Sequence, residues 1–235
     1  MVRKSEQPFL PFDAPAPPPE PPAASRLISA LAEACAEAPL VEKVLVAPSL
    51  LTGHTLVERL AREGHPWTNL RVETVRTLAL AAAGPGLVRD GLRLLSRAQA
   101  LALVEQACAQ ALGPRSYFGA LRGRTGLHRA IQRTLDELRA AGIGPSGLPT
   151  AAFADRRKAA ELRRVLAGYD AALAEGRYVD SLGVLTRAAA IDPPAGASTL
   201  LLLPSDAELS ELERLVLERL AGDRLRSLPV DEPGA

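Results

Sequence analysis

Catalysis in a protein needs a nucleophile with its base, a metal cage or a phosphate cradle, and the side chains that could build these are few and scattered here. His54, His65 and His128 stand far apart in the chain, with no H-x-x-x-H spacing that would put two imidazoles on one helix face. Cys35 and Cys108 are the only cysteines and form no C-x-x-C pair. They give neither a zinc site nor a disulfide framework, and a reducing compartment is expected. No G-x-S-x-G elbow and no G-x-G-x-x-G loop follows a strand, which leaves the hydrolase and dinucleotide readings without support. The densest chemistry is cationic. Arg115, Arg122, Arg124, Arg129 and Arg133 lie around Tyr117 and Phe118 with few acids between them. Guanidinium groups interleaved with aromatic rings suit a single nucleic-acid strand, whose phosphates pair with charge while its bases stack. The same residues also describe a solvated helix face with two aromatics turned to a small core. A second basic group, Arg156, Arg157, Lys158, Arg163 and Arg164, alternates with Asp155, Glu161 and Asp170. It reads as an exposed helix laced by ion pairs.

A nucleotide phosphate is usually held by G-x-x-x-x-G-K-[ST], whose backbone N–H groups and lysine surround it. The only lysines are Lys4, Lys43 and Lys158, none of them after a glycine loop. Ahead of the first helical pattern stands Pro-Pro-Ala-Ala-Ser25. Proline donates no N–H, and Cβ atoms would crowd a phosphate. The sequence therefore excludes ATP binding of the usual kind.

The elements that must position these residues follow from composition and periodicity. Aromatics make up 3% of 235 residues, so Leu and Ala must form the core, and these favour helices. The formal charge of +1 excludes attraction to nucleic acid by bulk charge but leaves local basic patches open. No apolar run approaches the roughly 20 residues needed to cross a bilayer, and Met1 to Glu6 lead into prolines rather than an apolar stretch, so no membrane and a cytoplasmic location are expected. Residues 1–24 form a proline-rich tail, expected to be disordered or polyproline-like. Within it Gln7 to Phe12 (QPFLPF) loosely resembles peptides that dock on bacterial sliding clamps.

From Ser25, a helix cap, a helix is expected to about Glu37. A short apolar strand is expected at 43–47 and a second strand at 70–74, each followed by a helix, at 52–62 and 75–83. The Gly84-Pro85-Gly86 run closes that section. The next hundred residues show no convincing strand and four helices, near 96–111, 127–141, 155–175 and 180–190, with Ser96 and Asp180 as caps. Strands return at 199–203 and 224–228 around a helix at 207–220. Such alternation means an α/β fold built on a parallel sheet.

In this order the segments KVLVAPS (43–49), RVETVRTLA (71–79) and YVDSLGVLTRAA (178–189) resemble superfamily 1 helicases. More narrowly, they are similar to the N-terminal region of the B subunit of AddAB-type ATP-dependent helicase–nucleases, over about residues 25–230. The resemblance implies a parallel sheet of P-loop helicase type with a large all-helical insertion at about 87–195, within a degenerate helicase-like domain at 25–235. Where the family pattern has strand-Asp-Glu, this chain reads Leu203-Pro204-Ser205, which cannot hold magnesium. A motor domain retired from ATP hydrolysis is the implied outcome.

The same resemblance carries expectations of function. Loops after the first two strands touch single-stranded DNA in active relatives, so Ser49, Thr52, Thr74, Arg76 and Thr77 become candidate contacts; Arg122 and Arg124 join them from the basic and aromatic pattern alone. Thr52 and Thr74 could equally be a helix cap and a strand end. The implied partners are single-stranded or unwound DNA and an A-type motor subunit, in double-strand break repair. No cofactor is expected in this chain; ATP and magnesium belong to the partner motor, and the family's iron–sulfur cluster belongs to a nuclease domain that would follow. A fragment of such a subunit is the expected origin. A scaffold that docks a motor subunit without touching DNA is the other reading.

Overall fold

The computed structural model describes residues 25–191 and 198–231. The proline-rich tail, with its sliding-clamp resemblance, lies outside them. Four strands, β1 (Lys43–Val46), β2 (Leu70–Glu73), β5 (Leu200–Pro204) and β6 (Leu225–Leu228), form one sheet in the order β2-β1-β5-β6. All of its pairings are parallel, with Lys43 opposite Leu70 on one side and Leu200 on the other. The protein is thus mixed α/β with a small parallel sheet and a majority of helix.

The near-continuous apolar runs of the central strands β1 and β5 are explained by burial on both faces. Leu45, Val72, Leu202 and Leu228 meet α1 (Arg26–Glu37) and α2 (Leu50–Arg62) through Ile28, Leu31 and Leu60. On the other face Val44, Val46 and Leu201 meet α3 (Val75–Arg89), α7 (Ser181–Ala189) and α8 (Glu211–Ala221) through Leu78, Ala79, Ala188 and Leu217. Lys43 is fully buried at the start of the central strand. Its Nζ donates to the carbonyls of Ala38 and Val41, both at 2.6 Å, so the buried cation is satisfied by the turn that joins α1 to β1.

Between α3 and α7 the chain builds a second core. Here α4 (Arg97–Ala111), α5 (Thr125–Ala140) and α6 (Arg156–Glu175) enclose Val104, Ile131, Leu135, Val165 and Leu166. The chain enters and leaves this trio through two adjacent two-residue strands, β3 (Arg93–Leu94) and β4 (Tyr178–Val179), which pair in parallel. Asp180 fastens the neck. It caps α7 through Gly183 N–H at 2.8 Å, accepts from the Tyr169 hydroxyl of α6 at 2.9 Å, and pairs with Arg139 of α5. Burial opposes the Asp180 carboxylate, but Arg139, Gly183 and Tyr169 outweigh it and hold its pKa below the usual carboxylate range. Burial likewise pushes the Tyr169 phenol up, and its hydroxyl stays a donor.

Four expectations are corrected. The Gly84-Pro85-Gly86 run does not end α3, which continues through it to Arg89. Pro85 is exposed late in the helix, so its ring faces solvent while Ala83 and Leu87 stay packed. The neck strands were invisible because two residues carry no periodicity. Helix α2 begins at Leu50 with Ser49 as its cap, so Thr52 lies inside the first turn. Ser25 occupies the N-cap position of α1, but its side chain makes no capping bond.

Candidate nucleic-acid interface

The first group of candidates shares the carboxyl edge of the sheet. Ser49 follows β1 and Thr74 follows β2, and each begins the helix behind its strand. Ser49 Oγ accepts from Thr52 N–H at 3.1 Å and lies 2.8 Å from Thr52 Oγ1. One proton bridges the two hydroxyls, which leaves the other hydroxyl proton for an outside acceptor. Thr74 and Thr77 are more committed. Their capping box closes through Thr77 N–H to Thr74 Oγ1 at 3.2 Å and Thr74 N–H to Thr77 Oγ1 at 2.8 Å, while the Thr77 hydroxyl donates to the Thr74 carbonyl at 2.9 Å. Thr77 therefore orders the helix and has no proton to offer a ligand.

What remains for an anion is the backbone and Arg76. In each first turn the caps satisfy the third amide, so the N–H groups of Leu50, Leu51, Val75 and Arg76 have no intrahelical acceptor. They lie at the positive ends of two helices on adjoining strands, where a parallel sheet receives ligands. The side chain of Arg76 is exposed and makes no ion pair among the described residues. Opposing charge sits farther along the edge, where Asp206 and Glu208 follow β5, both exposed. Glu73 is turned to Arg71 at 3.2 Å.

Gly53 went unnoticed in the sequence, yet it sets this geometry. A Cβ there would stand 2.2 Å from Val72 Cγ1 and 3.0 Å from Ala47 Cβ, so only glycine lets the first turn of α2 sit on the ends of β1 and β2. A glycine inside a helical pattern was the available signal.

The second group lies on the helical trio. Helix α3 carries the chain roughly 22 Å from the edge holding Arg76 before the neck begins, at 1.5 Å per residue, and α5 packs chiefly on α4, α6 and α7. Arg122 ends a short 3-10 turn at Gly119–Leu121 and Arg124 occupies the N-cap position of α5. Both are exposed, as are Arg115, Arg129 and Arg133, and none of the five makes an ion pair among the described residues. Thus the structure exposes these arginines on the helical trio and its connecting loop, a different body from that of Arg76. The aromatic pair divides: Tyr117 is 44% exposed, while Phe118 packs on the trio's core with the two rings edge-to-face at 5.0 Å.

Glu161 does not belong to the exposed ion-pair face expected of it. It is buried, and its carboxylate accepts from the N–H groups of Tyr117 and Phe118 at 2.7 and 3.1 Å, which fixes the loop that carries them. Its spacing from Leu162, Val165 and Leu166 on the apolar stripe was the legible sign. The histidines remain apart; His128 Nδ1 lies 3.1 Å from Glu105 Oε1, and no group that could hold a metal ion occurs among the described residues. No family model matches the chain, and no match is found among curated proteins. Among the described residues no helix is long and apolar enough to cross a membrane.

Proposed function

We propose that the chain is a non-catalytic, helicase-like DNA-binding domain of an AddAB-type helicase–nuclease, which holds single-stranded or unwound DNA at the carboxyl edge of its sheet. The observation that carries this reading is the pairing of two open helix N-termini with the exposed Arg76, which makes no ion pair among the described residues, on adjoining parallel strands. Such donors suit phosphates in any sequence, as a backbone-tracking protein requires. The coarse architecture is compatible with it: a parallel sheet covered on both faces, with a helical body between α3 and α7, in the place of the insertion that the resemblance implies. The five exposed arginines of the trio, with Tyr117, supply a second surface of the same chemistry. Lacking a glycine–lysine loop and carrying Pro204-Ser205 at the end of β5 in place of two carboxylates, the chain leaves ATP hydrolysis to a partner motor subunit.

Competition between oligonucleotides tests the reading. A labelled single strand should bind and be displaced by unlabelled single strand more readily than by duplex of equal length. Equal displacement by duplex would remove the single-strand preference, and no binding at low salt would leave the scaffold reading in its place.

A further inference from the structure

The opposite edge of the sheet carries an apolar cleft that the DNA-binding reading does not use. It encloses about 450 Å³ between α1, which contributes Ala32, Cys35 and Ala36, and the loop before β2, which contributes Pro66 and Trp67, with Pro39 at one end. Trp67 is 42% exposed and Leu40 beside Pro39 is 88% exposed, an open apolar surface at the amino-terminal ends of β1 and β2. An indole flanked by prolines and small residues is a surface that takes a polyproline II helix, whose rings stack without the entropy loss of ordering a flexible strand.

We propose that the occupant is this chain's own Pro17 to Pro22 (PPPEPP), laid back along α1. Reach and length support the assignment. Helix α1 begins at Arg26, where its N–H is anchored by Asp231 Oδ1 at 3.1 Å, so the entry point of the preceding chain is fixed. Ala32 lies six residues and Pro39 thirteen residues beyond Arg26, roughly 9 and 20 Å along the axis at 1.5 Å per residue. A polyproline II run advances about 3.1 Å per residue, so the six residues PPPEPP span about 19 Å and, after a turn at 23–25, cover that interval. Attachment to the same chain also raises the effective concentration into the millimolar range, enough for a weak groove to be filled.

Trp67 is the only tryptophan and therefore reports its own cover. In the full chain, replacing Pro17, Pro18, Pro19, Pro21 and Pro22 together by glycine should shift Trp67 emission to the red and increase its quenching by acrylamide, with the far-ultraviolet dichroism of the helices retained. A synthetic peptide of residues 13–24 added in excess should reverse the shift. Emission unchanged by the glycine replacement would overturn the proposal. So would a shift that varies with protein concentration, because the occupant would then be a second copy.

Discussion

At the N2 position of α3 a cation works against the helix dipole, by a few tenths of a kcal/mol at an exposed site. Arg76 occupies that position without an acid to offset it among the described residues. Arg76→Ala should therefore leave thermal unfolding unchanged or raise it slightly, while weakening binding to single-stranded DNA of any sequence. Both sides of this expectation are needed: a fall in Tm of several degrees would show that the guanidinium supports the fold. Thr77→Ala should behave in the opposite way, because its hydroxyl is spent in the capping box. A loss of about 1 kcal/mol in urea unfolding is expected there, with binding altered only through stability. The sequence alone could nominate Thr74, Arg76 and Thr77 together; it could not say which of them is left free, since that depends on hydrogen bonds closed within one turn. The cysteines are simpler. Burial pushes the Cys108 thiol up to about 11, with Glu105 adding to it, and burial raises Cys35 despite the nearby Lys43. Neither thiol should react with iodoacetamide near neutral pH until the chain is unfolded.

Two glycine and proline positions decide how the elements sit. Gly53→Ala adds a methyl group 2.2 Å from Val72 Cγ1, a short branched side chain with little room to turn. Overpacking of this kind costs about 1–3 kcal/mol, against about 1 kcal/mol gained in helix propensity. A net loss of about 1 kcal/mol is expected, with weaker DNA binding as the first turn of α2 lifts from the sheet edge. Pro85→Ala should do the reverse, since it restores the N–H that Ala81 C=O lacks in the interior of α3. A gain of about 1 kcal/mol in chemical denaturation is expected. The two central strands, β1 and β5, were legible because each is a short apolar run covered on two faces, and the edge strands β2 and β6 because apolar and polar residues are mixed in a short run beside a helical pattern. The passage of α3 through Gly84-Pro85-Gly86 was not, because what keeps that turn helical is the packing of Ala83 and Leu87 against α7 and α8. Local propensity pointed to a break, and tertiary burial overrode it.

Taken as a whole, the molecule has a sheet core and a helical core joined at one neck, and Asp180 is the residue that touches α5, α6 and α7 at once. Asp180→Asn keeps a capping side chain but leaves Arg139 without its nearer carboxylate, and about 3 kcal/mol should be lost. Because the folded pKa is depressed, the stabilisation by Asp180 is full above the unfolded value near 4 and disappears as pH falls through the folded value beneath it. The gap in stability between parent and Asp180→Asn should therefore be constant from neutral pH down to about 5 and close below about 4. A gap unchanged by acid would remove Asp180 as the charged clasp of the neck. Its capping role could be read from the sequence, whereas its meeting with Arg139 and Tyr169 could not, being made across distant turns of the chain. The edge bearing Arg76 and the arginines of the trio stand on the two sides of this neck, and whether both face one strand is decided by binding. Single-strand affinity should be measured by fluorescence anisotropy across a salt series for the parent, Arg76→Ala, Arg124→Ala and the double variant. The expected result is a binding constant that falls with salt, a slope reduced by roughly one unit for Arg76→Ala, and a further loss on adding Arg124→Ala. Variants that bind like the parent at low salt would contradict a DNA-binding role and leave a docking scaffold.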